Sequence, residues 1–453
     1  MSTVNELGTK PIWRLIAQYS IPAVIGMLVG ALYNVIDRMF IGNTVGESAL
    51  AGLTVVFPIM MILFAFVSLI GVGGSSLLAI KLGEGDQEGA DHVFGNTNSV
   101  GIIVNLIALA VVFINMDGFL SLFGASADVI GYASDYLRII LLGFIFQMMS
   151  FILMNFVRAE GQPVLSMISM ITSTVMNIVL DYIFIVVLRL GVEGAALATI
   201  LGQFFGFAIL LSFYIRGKSQ LKFHAKDIIP DLKIVRKIVS IGFSSFVSVI
   251  GTSITMVLIN RLLGTYGGTA AITSMGAINS LFTFVLMPLM GITQGIQPII
   301  GYNHGAQQSD RVRKTLLYGI LVGSAFSLLV FLVMMVNAET FVGIFLEEGS
   351  PTLAMAASGL RMYIAMLPLV SVNLMGIGYF QSTARGRMAM VLGMLRQFIL
   401  LMPLLLVLPN LLGLNGIWLS VPISDGLSIV IVGIAVLRSF SNQSESGNQL
   451  NTI

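Results

Sequence analysis

Apolar stretches longer than about 18 residues recur along the whole chain, and Gly, Pro or charged residues separate them. A stretch of this length can cross the hydrocarbon core of a bilayer as a helix. The pattern predicts twelve membrane helices. The first six are 14–41, 53–82, 93–115, 130–158, 164–188 and 194–215. The second six are 238–266, 272–302, 312–337, 353–384, 388–408 and 415–438.

The longest polar segment in the interior separates the two sets of helices. We therefore divide the chain into an N-lobe, a cytoplasmic linker, a C-lobe and a polar tail that we expect to be disordered. Their ranges are 1–215, 216–237, 238–439 and 440–453.

The two sets of six helices repeat one another when the sequence is shifted by about 222 to 225 positions. Among the positions that coincide are Arg14 with Arg236, Arg138 with Arg361, and Asp37 with Asn260. Six is an even number, so both halves cross the membrane in the same direction, as in transporters built from parallel repeats. The predicted fold is an all-α integral membrane protein, with two six-helix lobes related by a pseudo-two-fold axis along the membrane normal.

The composition fits this fold, with 57% hydrophobic residues, 10% charged residues and a mean hydropathy of +0.97. The net charge of +2 is too small to indicate a nucleic-acid partner, and the absence of cysteine excludes thiol chemistry. The three histidines fall in predicted loops, with no zinc-binding pattern. Seventeen of the 23 basic residues, Arg158 among them, fall on one side of the predicted topology. The positive-inside rule then predicts a plasma (inner) membrane protein with both termini cytoplasmic.

Two carboxylates interrupt helices that are otherwise apolar. Asp37 lies near the end of the first predicted helix and Asp181 near the end of the fifth, so their predicted depths match. An acid at the centre of a membrane helix costs about 2.5 to 3.5 kcal/mol on insertion scales, and such residues usually mark an ion, proton or substrate path. An alternative for Asp37 is an ion pair with a neighbour such as Arg38, or a helix cap.

Three further polar side chains are predicted at the same depth. Asn177 shares a helix face with Asp181, while Thr199 and Tyr136 lie near the same ends of the sixth and fourth helices. Carboxylate, amide and hydroxyl oxygens suit a hard cation such as Na+, and two neighbouring acids in a low dielectric tend to share a proton. The residues leave H+ and Na+ open as the ion.

Several segments together resemble the MATE (multidrug and toxic compound extrusion) family, in its DinF-like branch. They are SIPAVIGMLVGALYNVIDRMFIG at 20–42, KLGEGDQ at 81–87, the Asn177 and Asp181 pair, GVEGAALAT at 191–199 and GYNHGAQ at 301–307. The resemblance implies a V-shaped pair of lobes and cation/drug antiport. It also implies a cation site at Asp37, Tyr136, Asn177, Asp181 and Thr199, with Na+ possible at all of these except Tyr136, and a bend of the first helix at Pro22.

Candidate substrate contacts are fewer. The resemblance suggests Asn155, and the adaptable thioethers of Met27 and Met176 suit varied apolar molecules. Arg396 and Asp425 either pair with each other or line the cleft.

We expect a monomeric exporter of amphipathic, often cationic drugs that needs no cofactor beyond its coupling ion. The alternative is a flippase for lipid-linked precursors. Motifs typical of intramembrane enzymes do not occur, so we expect no enzymatic activity.

Overall fold

The structure, a computed structural model, describes residues 5–126, 128–347 and 350–450. Within these ranges it does not describe the side chains at positions 33, 34, 38, 43, 47, 225 and 442–450.

Eleven helices in the described residues are long and apolar enough to cross a membrane. The longest, Leu232–Gly305, has 74 residues and would extend about 110 Å, several times the thickness of a bilayer. Gly268 interrupts it with φ 63° and ψ −157°, a conformation that residues with a Cβ rarely adopt. The chain turns there, so the segments 232–267 and 269–305 are separate helices. The twelve crossings predicted from hydropathy are therefore present.

We number these helices α1 to α12 in chain order. The first half contains α1 (Ile12–Thr44), α2 (Glu47–Gly83), α3 (Gln87–Ile114), α4 (Ile130–Ala159), α5 (Pro163–Val187) and α6 (Gly191–Ile215). The second half contains α7 (232–267), α8 (269–305), α9 (Ser309–Val336), α10 (Pro351–Ser382), α11 (Gly386–Leu412) and α12 (Leu414–Leu450). The short helix Glu6–Thr9 precedes α1, and three short helices lie between the long ones: Met116–Leu122, Ala225–Ile228 and Ala338–Gly343.

Several helices extend beyond their predicted ends, because hydropathy does not register a polar first turn. The third helix begins at Gln87, where the Asp86 carboxylate accepts a hydrogen bond from the Gly89 amide at 2.9 Å. The prediction that all three histidines lie in loops is therefore wrong. His92 lies in α3 and His304 lies in α8. At the other end of the chain the backbone is helical to Leu450, although the sequence predicts a disordered tail from residue 440.

The internal repeat is visible in the helix boundaries. Helices α3 and α9 each have 28 residues, and their bounds differ by 222 positions. Each is followed by a short helix, Met116–Leu122 in the first half and Ala338–Gly343 in the second. The fifth helix of each half also contains a π-helical segment, Tyr182–Val187 in α5 and Leu395–Leu401 in α11. The two halves are therefore built to one plan.

Glycines bring the two halves into backbone contact on the membrane side that carries the start of α1, which we call the terminus side. A Cβ added at Gly73 of α2 would lie 2.1 Å from the Ile238 carbonyl oxygen of α7. One added at Gly83 would lie 2.0 Å from the Tyr302 carbonyl oxygen of α8. No side chain fits at such distances, so the halves meet closely on the terminus side.

Helix α1 contacts both halves. Its early residues Ser20 and Val24 lie against Gly295 and Gly291 of α8, where an added Cβ would come within 2.8 Å of α1 atoms. It also packs along α5 of the first half, where Gly26 and Gly30 lie against Met170. Pro22 is buried between the two α8 contacts and lies inside a continuous helix. A movement of α1 at this point would alter both its contact with the second half and its packing on α5.

The linker folds against the terminus ends of α3 and α4. The Asp227 carboxylate lies 2.8 Å from His92 Nδ1, and Glu160 Oε2 accepts hydrogen bonds from Ser219 Oγ at 2.5 Å and Gln220 N at 3.0 Å. Burial raises the pKa of the Glu160 carboxyl above its ordinary value. Helix α7 begins at Leu232, so this connection ends earlier than the predicted boundary at residue 237.

Candidate cation and substrate site

Asp181 is fully buried, with 0% of its surface exposed. It is the last residue of the α-helical part of α5, and the π-helical segment begins at the next residue. Neither of its carboxylate oxygens has a hydrogen-bond partner among the described residues. A buried polar atom without a partner costs about 1–3 kcal/mol, and a charged one costs more. The fold therefore holds an acceptor-rich position that its own described donors do not satisfy.

Asn177 lies one helical turn before Asp181 and is also buried. Its amide nitrogen donates to the Thr199 hydroxyl across a distance of 3.5 Å, which is the outer limit for such a bond. Its side-chain oxygen, like those of Asp181, has no partner in the described part of the chain. The two helices approach closely here, since a Cβ at Gly202 of α6 would lie 2.7 Å from the Ser173 carbonyl oxygen of α5.

Asp37 completes the pair of acids from α1. Its side chain is 6% exposed, and the carboxyl group lies near enough to Asp181 for the two charges to interact. The alternative of an ion pair with Arg38 lies outside the described residues, because that side chain is not described.

Tyr136 packs beside this group. It is half-buried against a cluster that contains Ile41, one turn beyond Asp37, and Ile185, one turn beyond Asp181. Four helices thus bring the five predicted residues to one level of the first half. The oxygens collected there can accept a proton or coordinate a small hard cation.

The three predicted substrate contacts do not lie together. Met27 and Met176 are half-buried on α1 and α5. Asn155 lies nearer the terminus side, in a small cavity between the halves, and its amide nitrogen donates to the Phe151 carbonyl at 2.7 Å. Met170, which is not among the predicted contacts, fills the space against Gly26 of α1, where an added Cβ would lie 2.7 Å from its sulfur.

The structure defines the surroundings of two arginines. Arg158, the last residue of the fourth predicted helix and one of the 17 basic residues counted on one side of the membrane, is buried inside α4 and only 1% exposed. Arg396 Nε donates to Asp425 Oδ1 at 2.6 Å, so the first of the two alternatives for this pair is confirmed. No sequence signal distinguishes a buried arginine at a helix end from one that reaches the interface.

Comparison with known proteins explains this architecture. A sequence model of the MatE family matches residues 22–183 and, separately, residues 242–407, once in each half. The chain belongs to the MatE family. It is 30% identical over 419 residues to the multidrug export protein MepA of Staphylococcus haemolyticus, and the match covers 91% of each chain.

Solved structures agree with the fold. A crystal structure of MATE in the bent conformation superposes with a TM-score of 0.92 at 24% identity, covering 98% of this chain and 99% of the other. A crystal structure in the straight conformation gives a TM-score of 0.92 at 24% identity, covering 97% and 98%. The predicted family and fold class are confirmed. The protein is a multi-pass membrane transporter and not an enzyme.

Proposed function

We propose that this protein exports amphipathic, often cationic drugs and that H+ or Na+, moving inward, drives the export. The MepA relatives are named as multidrug export proteins, and they match nearly the full length of the chain. The exporter direction and the breadth of substrates are carried over from that likeness. We further propose that the termini are cytoplasmic, in the inner membrane, and that the protein acts as a monomer.

One observation carries the ion coupling: both oxygens of Asp181 and the side-chain oxygen of Asn177 are buried without partners among the described residues. Asp37 adds a second acid within electrostatic reach. A proton or a sodium ion bound there would satisfy these acceptors and neutralise charge in a low dielectric. The atoms that would bind the cation are all oxygens, which fits either ion.

Helix α1 supplies a route for coupling. Its outer part carries Asp37, while Ser20 and Val24 lie against glycines of α8 in the second half. Neutralising Asp37 changes how this part of α1 packs on α5, and Pro22, which lies between the two α8 contacts, lacks the amide hydrogen that would otherwise stiffen the helix there. The same helix therefore transmits ion binding to the contact between the halves.

The proposed cycle follows from reciprocal coupling, in which the bound cation and the bound drug each weaken the binding of the other. Drug binds from the cytoplasm while the acids are without a cation. After the lobes open outward, the cation binds at Asp37 and Asp181 and the drug leaves. For an uncharged drug, one cation moving inward through 100 mV supplies about 2.3 kcal/mol, enough for a drug gradient of more than tenfold.

The test is ethidium transport by protein reconstituted into liposomes, with pH and sodium gradients imposed separately. Wild-type protein should move ethidium against its gradient when at least one of the two cation gradients is present. Asp37→Asn should abolish the gradient-driven part while leaving the protein folded. The matched control is Asp117→Asn, which neutralises an exposed acid. Gradient-driven transport by Asp37→Asn at the wild-type rate would refute the site.

A further inference from the structure

The largest fully buried side chain among the described residues is a charged one, Arg158. Its Nε donates to Ser166 Oγ of α5 at 2.9 Å, and Nη1 donates to Gln294 Oε1 of α8 in the other half. Nη2 lies 3.9 Å from the Met170 sulfur. All three acceptors are neutral, so hydrogen bonds hold the guanidinium in place without neutralising it.

No described carboxylate forms an ion pair with Arg158, although a buried charge is normally paired. The same chain does pair its other deeply placed arginine, since Arg396 binds Asp425 at 2.6 Å. Glu160, only two residues from Arg158, accepts hydrogen bonds from Ser219 and Gln220 of the linker. The positive charge at Arg158 is thus a specific feature of this position.

Arg158 lines the small cavity between the halves that also contains Asn155. The other lining residues are Ser75, Ser76, Ala159, Gln294, Gln297 and Pro298. The polar ones are all neutral hydrogen-bonding groups, so the guanidinium is the only charge on the described wall. Ser166, which holds its Nε, is 15 residues from Asp181 along α5, or about 22 Å, so this cavity is separate from the acid pair.

We propose that Arg158 receives a carboxylate carried by the transported molecule, which takes the place of Gln294 as its partner when the halves separate. A planar guanidinium fork matches a carboxylate with two parallel hydrogen bonds, which neither serine nor glutamine provides. Asn155 and Gln297 supply further neutral donors on the same wall. This assignment of Arg158 as the residue that recognises a carboxylate rests on the proposed function.

The probes are tetramethylrhodamine and its methyl ester, two fluorescent molecules that differ only in whether the carboxylate is free. Binding to purified full-length protein in detergent is measured by fluorescence polarisation. We expect Arg158→Gln to weaken binding of the free acid at least about tenfold while changing that of the ester little, because a charge-assisted bidentate pair is lost. Arg158→Lys should give an intermediate loss, since it keeps the charge but not the fork.

A second variant keeps the test decisive if Arg158→Gln does not fold. Gln294→Glu places a carboxylate of the protein where Gln294 already bonds to Arg158, so it should abolish the preference for the free acid while retaining the arginine. The control is Arg138→Gln, at an exposed arginine on α4. Asp37→Asn should leave the ratio of acid to ester affinity unchanged even if it abolishes coupling.

Equal weakening for acid and ester in Arg158→Gln would mean that the arginine only holds the two halves together, and it would overturn the proposal. An unchanged ratio in Gln294→Glu would overturn it as well.

Discussion

Replacing Asp181 with Asn removes a charge that the described structure leaves without hydrogen-bond partners. Because the side chain is 0% exposed, the wild-type protein bears the full desolvation cost whenever no cation is bound. An unsatisfied buried acceptor costs about 1–3 kcal/mol, and Asn retains one carbonyl oxygen at the same place. We therefore expect Asp181→Asn to stabilise the cation-free protein by about 1–3 kcal/mol while destroying its cation site.

The assay is thermal unfolding of purified protein in detergent. Sodium is first varied against choline at fixed pH, and pH is then varied without sodium. A cation present at 100 times its dissociation constant stabilises the wild-type protein by about 2.7 kcal/mol, and this increment should vanish in Asp181→Asn. Asp117→Asn, at an exposed acid, serves as the control. If the variant responds to both cations as the wild-type protein does, Asp181 does not bind the coupling ion.

Three other changes give separate predictions. Thr199→Val removes a hydroxyl oxygen but keeps the volume, so it should weaken sodium-dependent stabilisation and leave proton-driven ethidium transport intact. An unchanged sodium-dependent stabilisation would mean that Thr199 serves packing alone. Gly73→Ala places a Cβ 2.1 Å from the Ile238 carbonyl oxygen, so the halves must separate on the terminus side. Spin labels on paired cysteines introduced into this cysteine-free chain should report a longer distance there, and an unchanged distance would contradict the contact. Burial raises the pKa of Glu160, so the folded protein holds that proton more tightly than the unfolded chain does. The contribution of this group to the free energy of unfolding therefore falls as pH rises from the ordinary carboxyl pKa toward the raised one. Glu160→Gln should therefore raise the unfolding temperature, relative to wild type, more at pH 8 than at pH 5, and an equal difference at both would contradict this.

Hydropathy predicts the number of crossings correctly because each crossing must bury about 20 apolar residues in the hydrocarbon core. It also places Asp37 and Asp181 at one depth, since residue spacing along a helix fixes height. Hydropathy does not predict that the chain turns at Gly268 itself, because the nearby Gly264 and Gly267 give a similar local signal. Only the three-dimensional path selects which glycine adopts the positive φ.

Other features depend on contacts between distant segments and leave no local trace. The π-helical segment after Asp181 reflects how α5 packs on its neighbours, not the apolar sequence Tyr182–Val187. Arg158 resembles an interfacial residue in sequence, but in the fold it is buried and hydrogen-bonded to Gln294, which lies 136 positions away. The neutral cavity around it is likewise assembled from three helices in two halves.

The central claim is that drug and cation exclude one another through Asp37 and Asp181, so the most direct measurement is cation release on drug binding. Ethidium is added to purified wild-type protein in weakly buffered detergent solution, and released protons or radioactive sodium are counted. We expect the wild-type protein to release one of these ions as ethidium saturates it, and Asp37→Asn to bind ethidium without such release. Saturation of the wild-type protein with no release of either ion would contradict the claim.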